Sequence, residues 1–391
     1  MTKNPRTQAR SRTCTRSASL FAAAAAAFLL AHALSLRAQD NPKFIIDEDC
    51  QAFDVAPDNS IVYAVPHMKR VKKLIIERDD ISIATGPGKI KRIVDPDKFM
   101  PIPPPNGYIV NALAWSPDSQ HIAADLTLQE APAGYEDAIK NKKDNIAKHD
   151  PDEDEAPLMG VGGGRAIALL DDDGREIKVE GSKTRFIQGG FYATWLADNA
   201  TVVYLTGGGP YSIARVRPAD GKTTTLFEGH SFSTVVWDAK NNRAFAVGDS
   251  LSLHSRLTLV QLDLVRETVT EIAQLDTFQG ALSLSPSGTK IGFFEDGDTI
   301  DIVDITHPGK PPLRVRAGFG RFGWSRDERR ILLKRGPDDR SNILLWVGLY
   351  DGTFSSILHD LEYRDFEISP DGESIAVTEP GKRELKFYPL Q

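Results

Sequence analysis

The chain is predicted to be all-β: a single β-propeller, read first as seven blades of four antiparallel strands, with six blades as the alternative. Three observations predict it. A short pattern of apolar alternation, a Ser-Pro-Asp-Gly-like turn and a second β-rich run recurs seven times. The later copies are spaced by about 43 residues, the period of a four-stranded blade. The last copy leaves room for only three strands before Gln391, so a strand from the N-terminus is expected to close the ring.

The copies read FDVAPDNSIVYA at Phe53, LAWSPDSQHIAA at Leu113, TWLADNATVVYL at Thr194 and VVWDAKNNRAFAV at Val235. They continue as LSLSPSGTKIGFF at Leu282, FGWSRDERRILL at Phe322 and FEISPDGESIAV at Phe366. The residue opening each turn is Ala56, Ser116, Leu196, Asp238, Ser285, Ser325 and Ser369, at steps of 60, 80, 42, 47, 40 and 44. After each turn comes a further strand pair, as in RAIALLDDDGREIKVE from Arg165 and YSIARVRPADGKTTTLF from Tyr211, where Asp-Gly closes a hairpin. The β-competent segment Lys43–Asp47 precedes the first copy and is the candidate closing strand.

Two excursions break the period. The step of 80 places an inserted loop over 126–164 in blade two, after that blade's second strand, with a short helix expected over Tyr135–Ile146. The other runs from Asp95 to Tyr108 through Pro-Ile-Pro-Pro-Pro and joins blades one and two. Loops from second to third strands leave the sheet on the same side as loops between blades, so both excursions should crowd one face. A loop this long is either functional or disordered. The acidic run Asp150, Asp152, Glu153, Asp154 and Glu155 lacks the ligand spacing of an EF-hand. It is read as a solvated run facing Lys69, Arg70, Lys72 and Lys73 of the neighbouring blade.

Residues 1–38 read as a signal peptide. Lys3, Arg6, Arg10, Arg12 and Arg16 precede an apolar stretch from Leu20 to Leu36, and Ala38 offers a small residue for cleavage. Residues 39–391 are then the propeller, and the location expected is periplasmic or secreted. The leader holds six of the 47 basic residues and no acidic ones, so 41 bases face 54 acids in the remainder, net −13. That balance excludes general nucleic-acid binding, which rests on neutralising phosphates. Cys14 falls in the leader, leaving Cys50 as a lone thiol near the first strand, read as a small buried hydrophobe.

Ser-Pro-Asp-Gly followed by Ile-Ala-Val or its like, repeated along residues 53–391, resembles the repeats of the TolB-like, WD-repeat-like periplasmic propellers. Such repeats also occur in the propellers of prolyl-oligopeptidase-like enzymes. The chain departs from both patterns, with no α/β domain ahead of the propeller as in TolB and no hydrolase domain after it. The resemblance implies an envelope propeller and does not transfer a particular activity.

Catalytic signatures are scarce. Gly248-Asp249-Ser250-Leu251 spells an esterase nucleophile block, but it lies mid-chain in a blade hairpin without the Asp-x-x-His that should follow. No G-x-S-x-G, P-loop, H-E-x-x-H or Cys-x-x-Cys occurs. Loops entering the innermost strands carry Arg185, His230, Arg321, Tyr363 and Arg364, with Phe278 at a comparable place. They are expected at one channel mouth, where arginine can grip a carboxylate or phosphate in a bidentate way or pair with neighbouring acids. Trp115, Trp195, Trp237 and Trp324 hold matching places in four copies and read as packing between blades. The expectation is a monomeric, non-catalytic propeller that binds a protein or peptide in the cell envelope, without a cofactor. The alternative is a hydrolase or lactonase with a divalent metal in the channel.

Overall fold

The computed structural model describes residues 42–71, 74–99, 106–130, 158–159, 161–181, 186–208, 210–249, 257–297, 299–316, 321–335, 343–356, 364–379 and 383–390. Strand β1 (Phe44–Ile46) comes first. Blade one follows with β2 (Ala52–Val55), β3 (Ile61–Val65), a protruding hairpin β4 (Met68–Val71) and β5 (Leu74–Glu77), then β6 (Asp80–Ala84) and β7 (Ile90–Val94). Blade two has β8 (Gly107–Trp115), β9 (His121–Glu130), a short β10 (Leu158–Met159), β11 (Val161–Asp171) and β12 (Ile187–Gln188). Blade three has β13 (Gly190–Trp195), β14 (Val202–Thr206), β15 (Ser212–Arg217) and β16 (Lys222–Leu226). Blade four has β17 (Phe232–Asp238), β18 (Arg243–Asp249), β19 (Leu257–Asp263) and β20 (Thr268–Leu275). Blade five is β21 (Gln279–Leu284), β22 (Lys290–Asp296), β23 (Thr299–Asp304) and β24 (Leu313–Arg316). Blade six is β25 (Phe322–Trp324), β26 (Arg330–Arg335), β27 (Ile343–Gly348) and β28 (Phe354–Ser356). Blade seven is β29 (Asp365–Ile368), β30 (Ser374–Thr378) and β31 (Leu385–Pro389).

Each blade is a four-stranded antiparallel sheet, and the seventh is completed by β1, which pairs with β31 through Phe44↔Phe387 and Ile46↔Leu385. The ring is therefore a seven-bladed propeller closed by the N-terminal strand, as the repeat count predicts; the six-bladed alternative does not stand. The core lies between blades, where alternate residues of neighbouring sheets interlock. Ile46, Cys50, Tyr63 and Phe387 share the joint of blades seven and one, with Cys50 3% exposed and its thiol raised by burial.

The repeated turn has a common chemistry. Ser116 is buried, accepts the His121 N–H at 2.9 Å and donates to Asp118 at 2.5 Å. Ser325 and Ser369 repeat this with Arg330 and Asp327, and with Ser374 and Asp371. Every copy then needs one left-handed residue to bring the chain back into the second strand. Asn59, Ser119, Asn199, Asn242, Gly288, Glu328 and Gly372 fill that place, with φ between 51° and 71°. Asn, Asp and Gly tolerate this region best. Several of these side chains also fasten their turn to the preceding blade: Asn199 accepts from Asp118 N, Asn242 from Ala197 N, and Glu328 from Ser287 N.

Three features differ from expectation. Blade one carries the hairpin β4–β5, so its surplus length does not lie only in the Asp95–Tyr108 connection. The sequence between the two strands, Lys72-Lys73, contains no residue that announces a hairpin. Second, β9 and β11 stay paired out to Glu130↔Val161, with a bulge between Gly162 and Gly164, so the flanks of the 126–164 insert are a two-stranded arm. The helix expected over Tyr135–Ile146 and the acidic run lie outside the described residues. Third, the fourth strand of blade two is broken. Glu176 forms only an isolated bridge to Leu170, because the chain turns to blade three, where Glu180 N donates to the Pro218 carbonyl.

Candidate functional site

Strand direction decides what shares a face. Second and fourth strands run the same way, so the hairpin β4–β5, the blade-two arm and the connections between blades all emerge on one side. There β10 pairs in parallel with β5, Leu158 opposite Leu74 and Met159 opposite Ile75. The blade-two insert is thereby joined to the blade-one hairpin. Beneath them Arg78 is fully buried and donates to the carbonyls of Pro96 at 2.8 Å, Phe99 at 3.4 Å and Asn106, so one guanidinium pins both ends of the proline-rich connection. The Tyr108 hydroxyl donates to the Asp79 carbonyl at 2.8 Å.

The sequence-predicted channel-mouth residues are described only in part. Arg185 and Tyr363 lie outside the described residues, as does Ser250 of the esterase-like block. His230 stacks on Phe232 of its own blade, centroids 6.4 Å apart, and Phe278 packs on Phe293. Arg364 reaches within 3.7 Å of Asp49 at the joint of blades seven and one. Arg321 stands at the channel and binds two carboxylates of blade seven, Asp365 at 2.8 Å and Glu367. Those acids hold its guanidinium even more firmly protonated, Glu367 contributing most.

Around Arg321 the inner strands assemble a mixed wall. Asp54 and Glu367 occupy the same place in the first and last copies, two residues before the turn opens. Asp54 accepts N–H groups from Val55 at 2.9 Å and, across the blade joint, from Trp115 at 2.8 Å. Burial, reinforced by the Glu367 charge, raises its carboxyl to about 7. On the far side, Tyr192 of blade three has φ 51°, an outlier for an aromatic residue, at a bulge in β13 that frees two N–H groups. The Asp125 carboxylate of blade two accepts both, from Tyr192 and from Ala193 at 3.3 Å.

Held this way, the Tyr192 ring stacks on Trp237 of blade four, centroids 6.0 Å apart, and Trp237 Nε1 donates to the Tyr192 carbonyl at 2.9 Å. Trp115, Trp195 and Trp324 are buried between blades as expected, whereas Trp237 is only half-buried. Tyr192 is 41% exposed, and burial raises its phenol to about 12. Arg321 pulls that value down and Glu367 pushes it up. Blades three and six stand on opposite sides of the ring, so this influence runs across the channel.

Sequence reasoning missed Asp54, Tyr192 and Glu367. The acids were legible as charges inside two apolar alternations, FDVAPD and FEISPD. Tyr192 carried no signal, because its place depends on the bulge. Among the described residues, no three His, Cys, Asp or Glu side chains are grouped so as to hold a metal ion. A groove of about 670 Å³ on the opposite face, beside Tyr350, is lined by charges that include the paired Lys290 and Glu328 at 2.5 Å.

This geometry defines the class: a seven-bladed β-propeller. Two solved structures share the fold. One is a chain of a mitotic checkpoint complex, with 12% identity and a TM-score of 0.56 over 90% of this chain and 92% of that one. The other is the Cps50 (Swd1) propeller domain of Myceliophteria thermophila, with 11% identity and a TM-score of 0.51 over 88% and 97%. No protein-family model matches the sequence, and no curated protein matches it. Among the described residues no helix is long and apolar enough to cross a membrane.

Proposed function

We propose that the protein is an exported, non-catalytic, TolB-like propeller that holds a protein or peptide partner in the cell envelope. One observation carries the reading. The blade-two insert and the blade-one hairpin are joined through β5 and β10 into an extra sheet beside the channel mouth. An extra sheet that closes no blade adds nothing to the ring, and loops on a rigid scaffold are where recognition concentrates. The basic leader supports export. One fold neighbour belongs to a multiprotein complex, and assembly with partners is carried over here as part of the proposal.

The test removes β10, the strand that joins the insert to the blade-one hairpin, and spares the ring. Residues 131–160 are replaced by Asn-Gly, which closes β9 and β11 as a plain hairpin. Partners of the wild-type and shortened proteins are then compared by cross-linking in envelope extracts. The expected outcome is a partner captured by the wild type and lost from the variant, with a melting temperature nearly unchanged. Equal capture by both, or none by the wild type, overturns the reading.

A further inference from the structure

We propose that the channel receives a cationic side chain of the partner, a lysine ammonium or arginine guanidinium, between the Tyr192–Trp237 rings and the Asp54, Asp365 and Glu367 carboxylates. This rests on the reading that the open face holds a protein partner. Three carboxyl groups face one guanidinium, and Arg321 spends its bonds on Asp365 and Glu367. Among the described residues Asp54 has hydrogen bonds from backbone N–H groups, and it lies within the fields of both Glu367 and Arg321. A second cation relieves the repulsion from Glu367. In blades three and four the exposed Tyr192 ring stacks on the half-buried Trp237, and aromatic faces attract cations. The ligand's sign is thus the reverse of what an arginine-bearing mouth suggests, because Arg321 is already neutralised.

The probes are N-acetyl-Ala-Arg-Ala amide, its lysine counterpart and its citrulline isostere, titrated calorimetrically into the mature protein. The arginine and lysine peptides are expected to bind, and the uncharged citrulline peptide about tenfold more weakly. Glu367→Gln and Tyr192→Asn should each weaken the charged peptides about five- to tenfold. Asn accepts the left-handed backbone at 192, and Trp237→Phe provides a second aromatic variant that keeps the packing. Absence of binding at about 10 mM, equal binding of the citrulline peptide, or indifference to all three variants overturns the proposal. So does methylguanidinium binding as tightly as the peptide, which would mark a site for a free amine. An envelope partner captured equally by the wild type and by Glu367→Gln leaves the interaction function standing and removes this channel from it.

Discussion

The Asp79 carboxylate of blade one accepts the Val110 N–H of blade two at 2.6 Å, with the Gln51 side-chain amide donating to the same oxygen. Asp79 is wholly inaccessible to water, and desolvation raises its carboxyl to about 8. The folded state therefore binds this proton more tightly than the unfolded chain. Its stabilising effect is complete below the ordinary carboxyl value near 4 and is lost as pH rises through about 8. Asp54 and Asp125, raised to about 7 and about 6, act in the same direction.

Asp79→Asn should flatten the decline of stability between pH 4 and pH 8. A single proton contributes at most about 1.4 kcal/mol per pH unit. Denaturant midpoints of wild type and variant across that range measure the difference in slope, and parallel curves would show that Asp79 does not titrate there.

Ring closure can be tested at adjacent residues. Ile46 is 1% exposed in the joint of blades seven and one, whereas Ile45 beside it is 47% exposed. Ile46→Ala should cost about 2–4 kcal/mol, the range for a buried aliphatic truncation. Ile45→Ala should change stability by about 0.5 kcal/mol or less. Equal effects in urea unfolding would mean that β1 does not close the ring in this register.

The turns make a finer prediction. Asn242 combines φ 52° with acceptance of the Ala197 N–H at 3.1 Å. Asn242→Gly keeps the backbone and loses only the link between blades, about 1 kcal/mol. Asn242→Ala loses both and should cost about 1–2 kcal/mol more. The order of the two unfolding midpoints decides the matter, since a purely side-chain role would make the variants equal.

Arg78→Met should release the connection at 95–106. The three carbonyls that Arg78 serves would lose their donor, and each buried unpaired group costs about 1–3 kcal/mol. Hydrogen exchange should rise in that segment and in β8 before it rises elsewhere. Unchanged protection there would show that the guanidinium does not hold the loop.

How much was legible in the sequence follows from where each determinant lies. Seven turns could be counted because each is local: Ser116, Ser325 and Ser369 bond within five residues of themselves, so their motif is contiguous. The closing role of Phe44–Ile46 followed from arithmetic, since blade seven lacked a strand. The hairpin β4–β5 escaped notice because Lys72-Lys73 is not a turn signal. The channel was only half legible. Arg321 was singled out, but Asp365 and Glu367, which neutralise it, lie more than 40 positions away.

The sequence by itself determined the blade count, the strand periodicity, the closing strand and the face on which the insert emerges, because those depend on short-range alternation and spacing. Only the tertiary structure decided that Tyr192, Trp237, Asp54, Arg321 and Glu367 line one channel, and that β10 joins β5. Blades distant in sequence come together when the ring closes. The bulge that turns Tyr192 into the channel is held by an Asp125 carboxylate 67 residues earlier, on another blade. Side-chain chemistry of that kind belongs to the closed ring and to no single repeat.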